Sequence, residues 1–66
     1  MSKNFEVIER VGISTESFTE AVKSAVAEAN EEKAVYWFEV SEQRGRMTPE
    51  GKIEFQATVK MGRKLK

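Results

Sequence analysis

One short stretch of the chain, AVYWFEVSEQRG (residues 34–45), has the clearest capacity for binding chemistry, because it contains the only Trp. An indole offers a flat, electron-rich surface for stacking, and its N–H needs an acceptor when it is buried. If the stretch is a strand, successive side chains point to opposite faces. This alternation defines two sets of side chains: Val35, Trp37 and Glu39 against Tyr36, Phe38 and Val40.

The segment KIEFQATVKM (residues 52–61) alternates more strictly than any other and supplies a polar partner for Trp37. One face carries Ile53, Phe55, Ala57, Val59 and Met61, and the other carries Glu54, Gln56, Thr58 and Lys60. The Gln56 amide offers a donor and an acceptor together, which suits the polar edge of a planar ligand. Two interpretations stay open: Trp37 is buried at a subunit interface, or it stacks on a ligand that Gln56 recognises. Both hold if the ligand lies in the interface.

The first of the elements that must position these residues is FEVIERV (Phe5–Val11). Its apolar and polar side chains alternate as in a strand with one more apolar face. Gly12 is predicted to end this strand. Ser14 is predicted to cap the following helix, because a hydroxyl accepts from a free backbone N–H at the helix start. From Phe18 the apolar residues follow helical spacing, and the helix is predicted to stop near Asn30. The apolar stripe comprises Phe18, Ala21, Val22, Ala25, Val26 and Ala29.

A second strand is predicted from about Ala34 to Met47, followed by the turn TPEG (Thr48–Gly51) and the last strand. The order is therefore β-α-β-β in an α+β fold, with a long hairpin at the end. The helix stripe is rich in Ala and is expected to pack on the apolar face of the last strand. The Tyr36 side of the second strand would complete that core and leave Trp37 outside it.

Size and composition narrow the function classes. A single domain of 66 residues (1–66) is marginal alone. The chain contains neither Cys nor His, which excludes disulfides and a tetrahedral His/Cys metal site, so oligomerisation is the expected stabiliser. No apolar run is long enough for a signal peptide or a membrane span, and a cytoplasmic location is expected. Without His, Cys or a Gly-rich phosphate loop, an enzyme is not predicted.

Two other classes of function compete with ligand binding. Basic residues dominate after Glu42, and Trp37, Arg44, Arg46 and Lys60 would suit a surface for single-stranded nucleic acid. The net charge of zero and the acidic helix argue against nucleic acid as a partner. In the other class the protein is a structural cage in which Trp37 is only an interface anchor.

Three segments, VGISTESFTEAVKSAVAEA, WFEVSEQRG and FQATVKMGRKL, resemble the dodecins, which are small flavin-binding proteins. The matching features are a Gly-x-Ser entry to the helix, the Trp-Phe-Glu-Val block, an Arg-Gly pair seven residues after the Trp, and an aromatic-Gln pair in the last strand. The resemblance implies a three-stranded antiparallel sheet wrapped around one helix. It also implies a hollow homododecamer that stores, buffers and photoprotects a flavin.

Carried over to this sequence, the resemblance implies paired flavins between subunits, stacked on Trp37, with Gln56 on the isoalloxazine edge. Arg44 matches an Arg near the ribityl-phosphate end, which implies FMN rather than riboflavin, and riboflavin and FAD are the alternative flavins. Arg46 adds a charge beside this site, where it either holds a phosphate or is solvated. Simple alternation puts Arg44 on the Tyr36 side, and a bulge near Gly45 would re-aim it.

The C-terminal end departs from the family pattern. Arg63 stands where many dodecins have an aromatic residue. Some members of the family also hold coenzyme A on the shell, and a basic tail is compatible with that ligand. The tail consists of Arg63, Lys64 and Lys66.

Overall fold

The computed structural model describes residues 5–65 and confirms the predicted order β-α-β-β. The elements are β1 (Phe5–Ser14), α1 (Phe18–Glu32), β2 (Val35–Met47) and β3 (Ile53–Lys64). The strands form one antiparallel sheet in the order β1-β3-β2, so β3 is central and pairs with both neighbours. No helix in the described part of the chain combines the length and apolar character that a bilayer-spanning segment requires.

The helix begins later than the sequence predicts, and the prediction of Ser14 as its N-cap is wrong. β1 does not end at Gly12, because its pairing with β3 continues through Ser14. Ser17 is the N-cap instead: its hydroxyl accepts from the Glu20 N–H at 3.0 Å. The Ser14 hydroxyl accepts from the Glu16 N–H at 2.8 Å, within the connection between strand and helix.

The core lies between the Ala-rich stripe of α1 and one face of β3, as predicted. Its buried members are Ala21, Ala25, Ala29, Ala57, Val59 and Met61. Small residues let the helix approach the sheet closely, and Gly12 extends this to β1. A Cβ at Gly12 would collide with the Ala21 carbonyl oxygen, so only Gly fits where β1 passes under α1. Close packing at this point leaves no room for an added methyl group.

The helix covers β1 and β3 but little of β2. Phe38, on the helix-facing side of β2, is consequently 52% exposed. A groove between α1 and β2 contains two adjoining cavities of about 340 and 330 Å³, both lined by Val22 and Phe38. The more apolar face of β1 points away from the helix, because Ile8 and Gly12 occupy the helix-facing side. The exposed apolar residues on the face of β1 that points away from the helix are Phe5, Val7, Val11 and Ile13.

An ion-pair cluster fastens the end of α1 to β1 and β3. Arg63 is only 11% exposed at its side chain and pairs with Glu6 at 2.8 Å and Glu32 at 3.2 Å. Arg10 pairs with Glu32 at 2.7 Å, and Lys33 pairs with Glu6 at 3.4 Å. The hydrogen bond from Arg63 lowers the pKa of Glu6, and bonds from Arg10 and then Arg63 lower the pKa of Glu32.

These lowered pKa values predict acid-sensitive stability. The folded-state pKa of Glu6 and Glu32 lies below the ordinary value of 4.5, so the unfolded chain binds more protons than the folded one as pH falls through this range. The contribution is fully present above pH 4.5 and is lost progressively below it. Between pH 5 and pH 3, the urea concentration at the unfolding midpoint should therefore fall less for Arg63→Met than for the wild type.

The matched control is Lys52→Met, which removes one exposed cation outside the cluster. It should follow the wild-type pH dependence. An equal pH dependence for the wild type and Arg63→Met would show that Arg63 does not couple the protonation of Glu6 and Glu32 to folding.

Candidate functional site

An irregularity at Tyr36 sets which side chains of β2 face away from the helix. Val35 pairs with Arg63 and Trp37 pairs with Gly62, so Tyr36 is an extra residue in the ladder. Because of this bulge Val35 packs against the core. The predictions that Val35 shares the Trp37 face and that Tyr36 completes the core are therefore wrong.

Tyr36 lies on the outer face of the sheet, the face turned away from α1. Its ring packs edge-on to Phe5, with centroids 5.6 Å apart. The Lys64 Nζ lies 5.7 Å from the centroid of the same ring. An aromatic and basic patch therefore forms beside Trp37 at one end of this face.

A second irregularity, at Ser41, brings Arg44 to the outer face. Val40 pairs with Val59 and Glu42 pairs with Thr58, which leaves Ser41 as the extra residue. The alternation resets after the bulge, so Arg44 pairs with Gln56 on the Trp37 face. Simple alternation from Trp37, which predicted Arg44 on the face opposite Trp37, does not hold in the structure. The re-aiming bulge exists, but it lies before Glu42 rather than near Gly45.

Trp37 lies outside the core, as predicted, and is 40% exposed. Its indole lies over Gly62 of β3. A Cβ atom at position 62 would collide with Cε2 and Nε1 of the ring. The absence of a side chain at position 62 thus lets the ring settle on the backbone of the central strand. A large ring supported in this way can present its remaining surface to a planar ligand.

The other predicted site residues form a polar cluster near the hairpin end. Arg46 Nε donates to Glu54 Oε1 at 2.8 Å, and Gln56 Nε2 donates to the same oxygen at 3.0 Å. The Arg46 hydrogen bond is the main reason that the pKa of Glu54 is lowered. Arg44 contacts Glu42 at 3.2 Å and is 63% exposed at its side chain. Arg44 is therefore the more accessible cation for an anionic ligand.

Within one chain Trp37 and Gln56 do not meet. Trp37 pairs with Gly62, and Gln56 lies six residues earlier on the same strand. At about 3.3 Å per strand residue, the separation along the sheet is about 20 Å. A single planar ring that contacts both residue types needs a Trp37 and a Gln56 from different copies of the chain. The geometry thus favours a site between subunits.

The predicted basic tail is divided by the fold. Arg63 is held in the ion-pair cluster at the end of α1. Lys64 lies on the outer face beside Tyr36. Lys66 lies outside the described residues. Of the two described tail residues, only Lys64 is exposed enough to meet a ligand directly.

Two residues of this region were missed at the level of sequence. Gly62 supports the indole, and Glu54 holds the Gln56 amide. The two-residue spacing of Glu54 and Gln56 on one strand face was the available signal for that contact. The signal for Gly62 was a glycine inside a clear strand pattern, which often marks a close approach. Among residues 5–65 no group of three or more His, Cys, Asp or Glu side chains is arranged to hold a metal ion.

Comparisons with known proteins identify the family and the fold. The family model described as Dodecin matches residues 5–66. A dodecin of Thermus thermophilus is 35% identical over 66 residues, covering 98% of this chain and 96% of the relative. Crystal structures of that organism's dodecin with a Trp-to-Phe change, or with an Arg-to-Ala change seven positions further along, match with a TM-score of 0.86. Each is 32% identical and covers 98% of both chains.

A more distant structural match is named as a calcium dodecin. This Mycobacterium tuberculosis protein has a TM-score of 0.87 and is 25% identical, with 97% of this chain and 93% of the other covered. It is described as having a novel calcium-binding site. The same fold therefore occurs in a protein that is named for calcium binding.

Proposed function

Because this chain belongs to the dodecin family of flavin-binding, oligomer-forming proteins, we propose that it stores and buffers FMN at the subunit interfaces of a hollow homododecamer. Riboflavin and FAD are the alternative flavins. The proposed role is binding and photoprotection in the cytoplasm rather than catalysis. Coenzyme A is a second proposed ligand, with Lys64 as the exposed cation of the described tail.

The observation that carries the proposal is the position of Trp37. Its indole is 40% exposed on the outer face and is supported from behind by Gly62. An isoalloxazine ring is planar, electron-poor and largely apolar, so stacking on indole buries apolar area on both partners. An aromatic pair adds about 0.5–1.5 kcal/mol beyond that area. A stacked indole can also donate an electron to a photoexcited flavin and return it to the ground state, which supports a protective role.

The separation of Trp37 from Gln56 supports an interface site in particular. A ring that stacks on one copy's Trp37 would reach the Gln56 amide of another copy. The exposed apolar residues of β1 and β2 leave surface for such neighbours: Phe5, Val7, Val11, Ile13 and Phe38. Surface of this kind is typical of chains that assemble.

Arg44 supports FMN as the flavin. It lies on the Trp37 face, and although it pairs with Glu42, its side chain is far more exposed than that of Arg63. A guanidinium binds phosphate through charge-assisted hydrogen bonds. The Trp and Arg changed in the Thermus thermophilus variants are seven positions apart, and so are Trp37 and Arg44.

The test is a titration of the flavin-free oligomer with FMN and with riboflavin, in which both Trp and flavin fluorescence are followed. The mass of the oligomer is first determined by light scattering. We expect mutual quenching that saturates at equimolar flavin and chain. In Arg44→Ala we expect FMN affinity to fall about tenfold to a hundredfold while riboflavin affinity changes little, because a hydrogen bond to a charged group is worth about 1.5–3 kcal/mol.

The matched control is Lys52→Ala, which removes one exposed cation elsewhere on the hairpin and should leave both affinities unchanged. Equal losses for FMN and riboflavin in Arg44→Ala would exclude Arg44 as a phosphate ligand. No quenching from a correctly assembled wild type would exclude the flavin function itself. Salt-sensitive binding of a single-stranded oligonucleotide would then favour the nucleic-acid alternative.

A further inference from the structure

The orientation of the Gln56 amide is fixed by its neighbour Glu54. The O and N atoms of a Gln amide are ordinarily interchangeable, and their assignment depends on hydrogen-bond partners. An ionised carboxylate can only accept, so the amide nitrogen must face Glu54 Oε1, which lies 3.0 Å away. Glu54 therefore settles which way the Gln56 amide points.

Arg46 holds the Glu54 carboxylate in place and lowers its pKa further below neutral pH. Its Nε donates to the same carboxylate oxygen at 2.8 Å, across the β2–β3 ladder in which the two residues are paired. The Glu54 side chain is only 19% exposed. With its pKa lowered mainly by Arg46, the carboxylate stays an acceptor at neutral pH. Arg46, Glu54 and Gln56 thus form a hydrogen-bonded row on the outer face.

We propose that Glu54, held by Arg46, is a positioning residue that turns Gln56 so that the site selects ligands with an imide N–H beside a carbonyl. The inference rests on the proposed function, because it assumes that Gln56 meets the flavin edge. Glu54 uses one of the two hydrogens on the Gln56 nitrogen. The second hydrogen and the amide oxygen are left, and they complement a carbonyl oxygen and an adjacent N–H. A ligand whose imide nitrogen is methylated cannot use this pair.

This role differs from that of Arg44, since neither Glu54 nor Arg46 needs to touch the ligand. Arg46 acts through Glu54, and Glu54 acts through Gln56. The contribution is pre-organisation: the amide does not have to be ordered when the ligand binds. Its loss should weaken only those ligands that use the amide.

The experiment compares lumiflavin with 3-methyllumiflavin, which lack the ribityl phosphate and so make no use of Arg44. Both are titrated against the assembled wild type, Glu54→Gln and Glu50→Gln. The Glu54→Gln side chain can donate as well as accept, so it no longer dictates the orientation of Gln56. Glu50→Gln removes the same charge from the hairpin turn without contacting the amide.

In the wild type, methylation should weaken binding about tenfold or more, since it leaves polar groups of the site unpaired. Glu54→Gln should weaken lumiflavin about three- to tenfold, the range of one hydrogen bond, and leave 3-methyllumiflavin unchanged. Glu50→Gln should match the wild type for both flavins.

A purely structural role for Glu54 would lower the affinity for both flavins equally, and that result would overturn the inference. Unchanged affinities in Glu54→Gln would overturn it as well. Failure of the wild type to bind either flavin would remove the proposed function, and the positioning role would fall with it. Only in that last case does the wild type itself fail, so the two failures are distinguishable.

Discussion

Replacing Trp37 with alanine is expected to weaken flavin binding at least a hundredfold and to eliminate the mutual fluorescence quenching. The loss combines the apolar area that the indole and the isoalloxazine bury with the additional stacking term, together roughly 3 kcal/mol. Trp37 lies outside the core, so this change should leave the buried Ala and β3 side chains in place. The measurement is an FMN titration of flavin-free protein by flavin fluorescence, with the oligomer mass determined by light scattering.

Trp37→Phe is the matched control for this change. A phenyl ring keeps a stacking surface but is a poorer electron donor, so binding should persist in weakened form while quenching falls further than affinity. If Trp37→Ala assembles normally and binds FMN as tightly as the wild type, the stacking platform does not exist. If Trp37→Ala fails to assemble and the assembled wild type does not bind FMN, Trp37 is an interface anchor only.

Gly62→Ala is expected to produce the second large effect, through the same ring. The added methyl group would occupy space that the indole holds, so either the ring or the strand must shift. Overpacking of this kind costs about 1–3 kcal/mol. FMN affinity should fall as well, because the displaced ring no longer presents the same surface. Denaturant unfolding and FMN titration of the same sample measure the two losses.

A double-mutant cycle isolates the cause. In a Trp37→Ala background the indole is gone, so Gly62→Ala should lose most of its cost in stability. A coupling of about 1 kcal/mol or more between the two positions is expected for residues in direct contact. Equal costs of Gly62→Ala in the two backgrounds would mean that the methyl group meets the strand rather than the ring.

The sequence predicts the elements and the core because those depend on local periodicity. The Ala stripe of the helix and the alternation of residues 53–61 each reflect one repeating geometry, and both appear in the structure. The start of the helix was placed at Ser14 instead of Ser17 for a different reason. Capping rules rank both serines equally, and pairing of β1 with β3 through Ser14 decides between them.

The arrangement of the candidate site was harder to predict from the sequence, because it depends on pairing between strands. Alternation assigns Val35, Tyr36 and Arg44 to faces only if the ladder is regular. Two extra residues in β2 change the assignment, and nothing in AVYWFEVSEQRG marks where they fall. The wide separation of Trp37 from Gln56 likewise follows from the register of the hairpin. Alternation predicts a shared face but not a distance along it.

The bulge at Ser41 makes the number of residues between Trp37 and Arg44 a constraint in its own right. In a regular strand, side chains seven positions apart face opposite ways, and only the extra residue returns both to one face. Losing one residue between Trp37 and Arg44 while the bulge is kept would turn Arg44 to the opposite face, whereas losing a residue beyond Arg44 would leave the shared face unchanged. Insertions and deletions during evolution should therefore gather beyond Met47, in the hairpin turn. The number of residues between Trp37 and Arg44, together with the bulge at Ser41, determines whether the two side chains share a face.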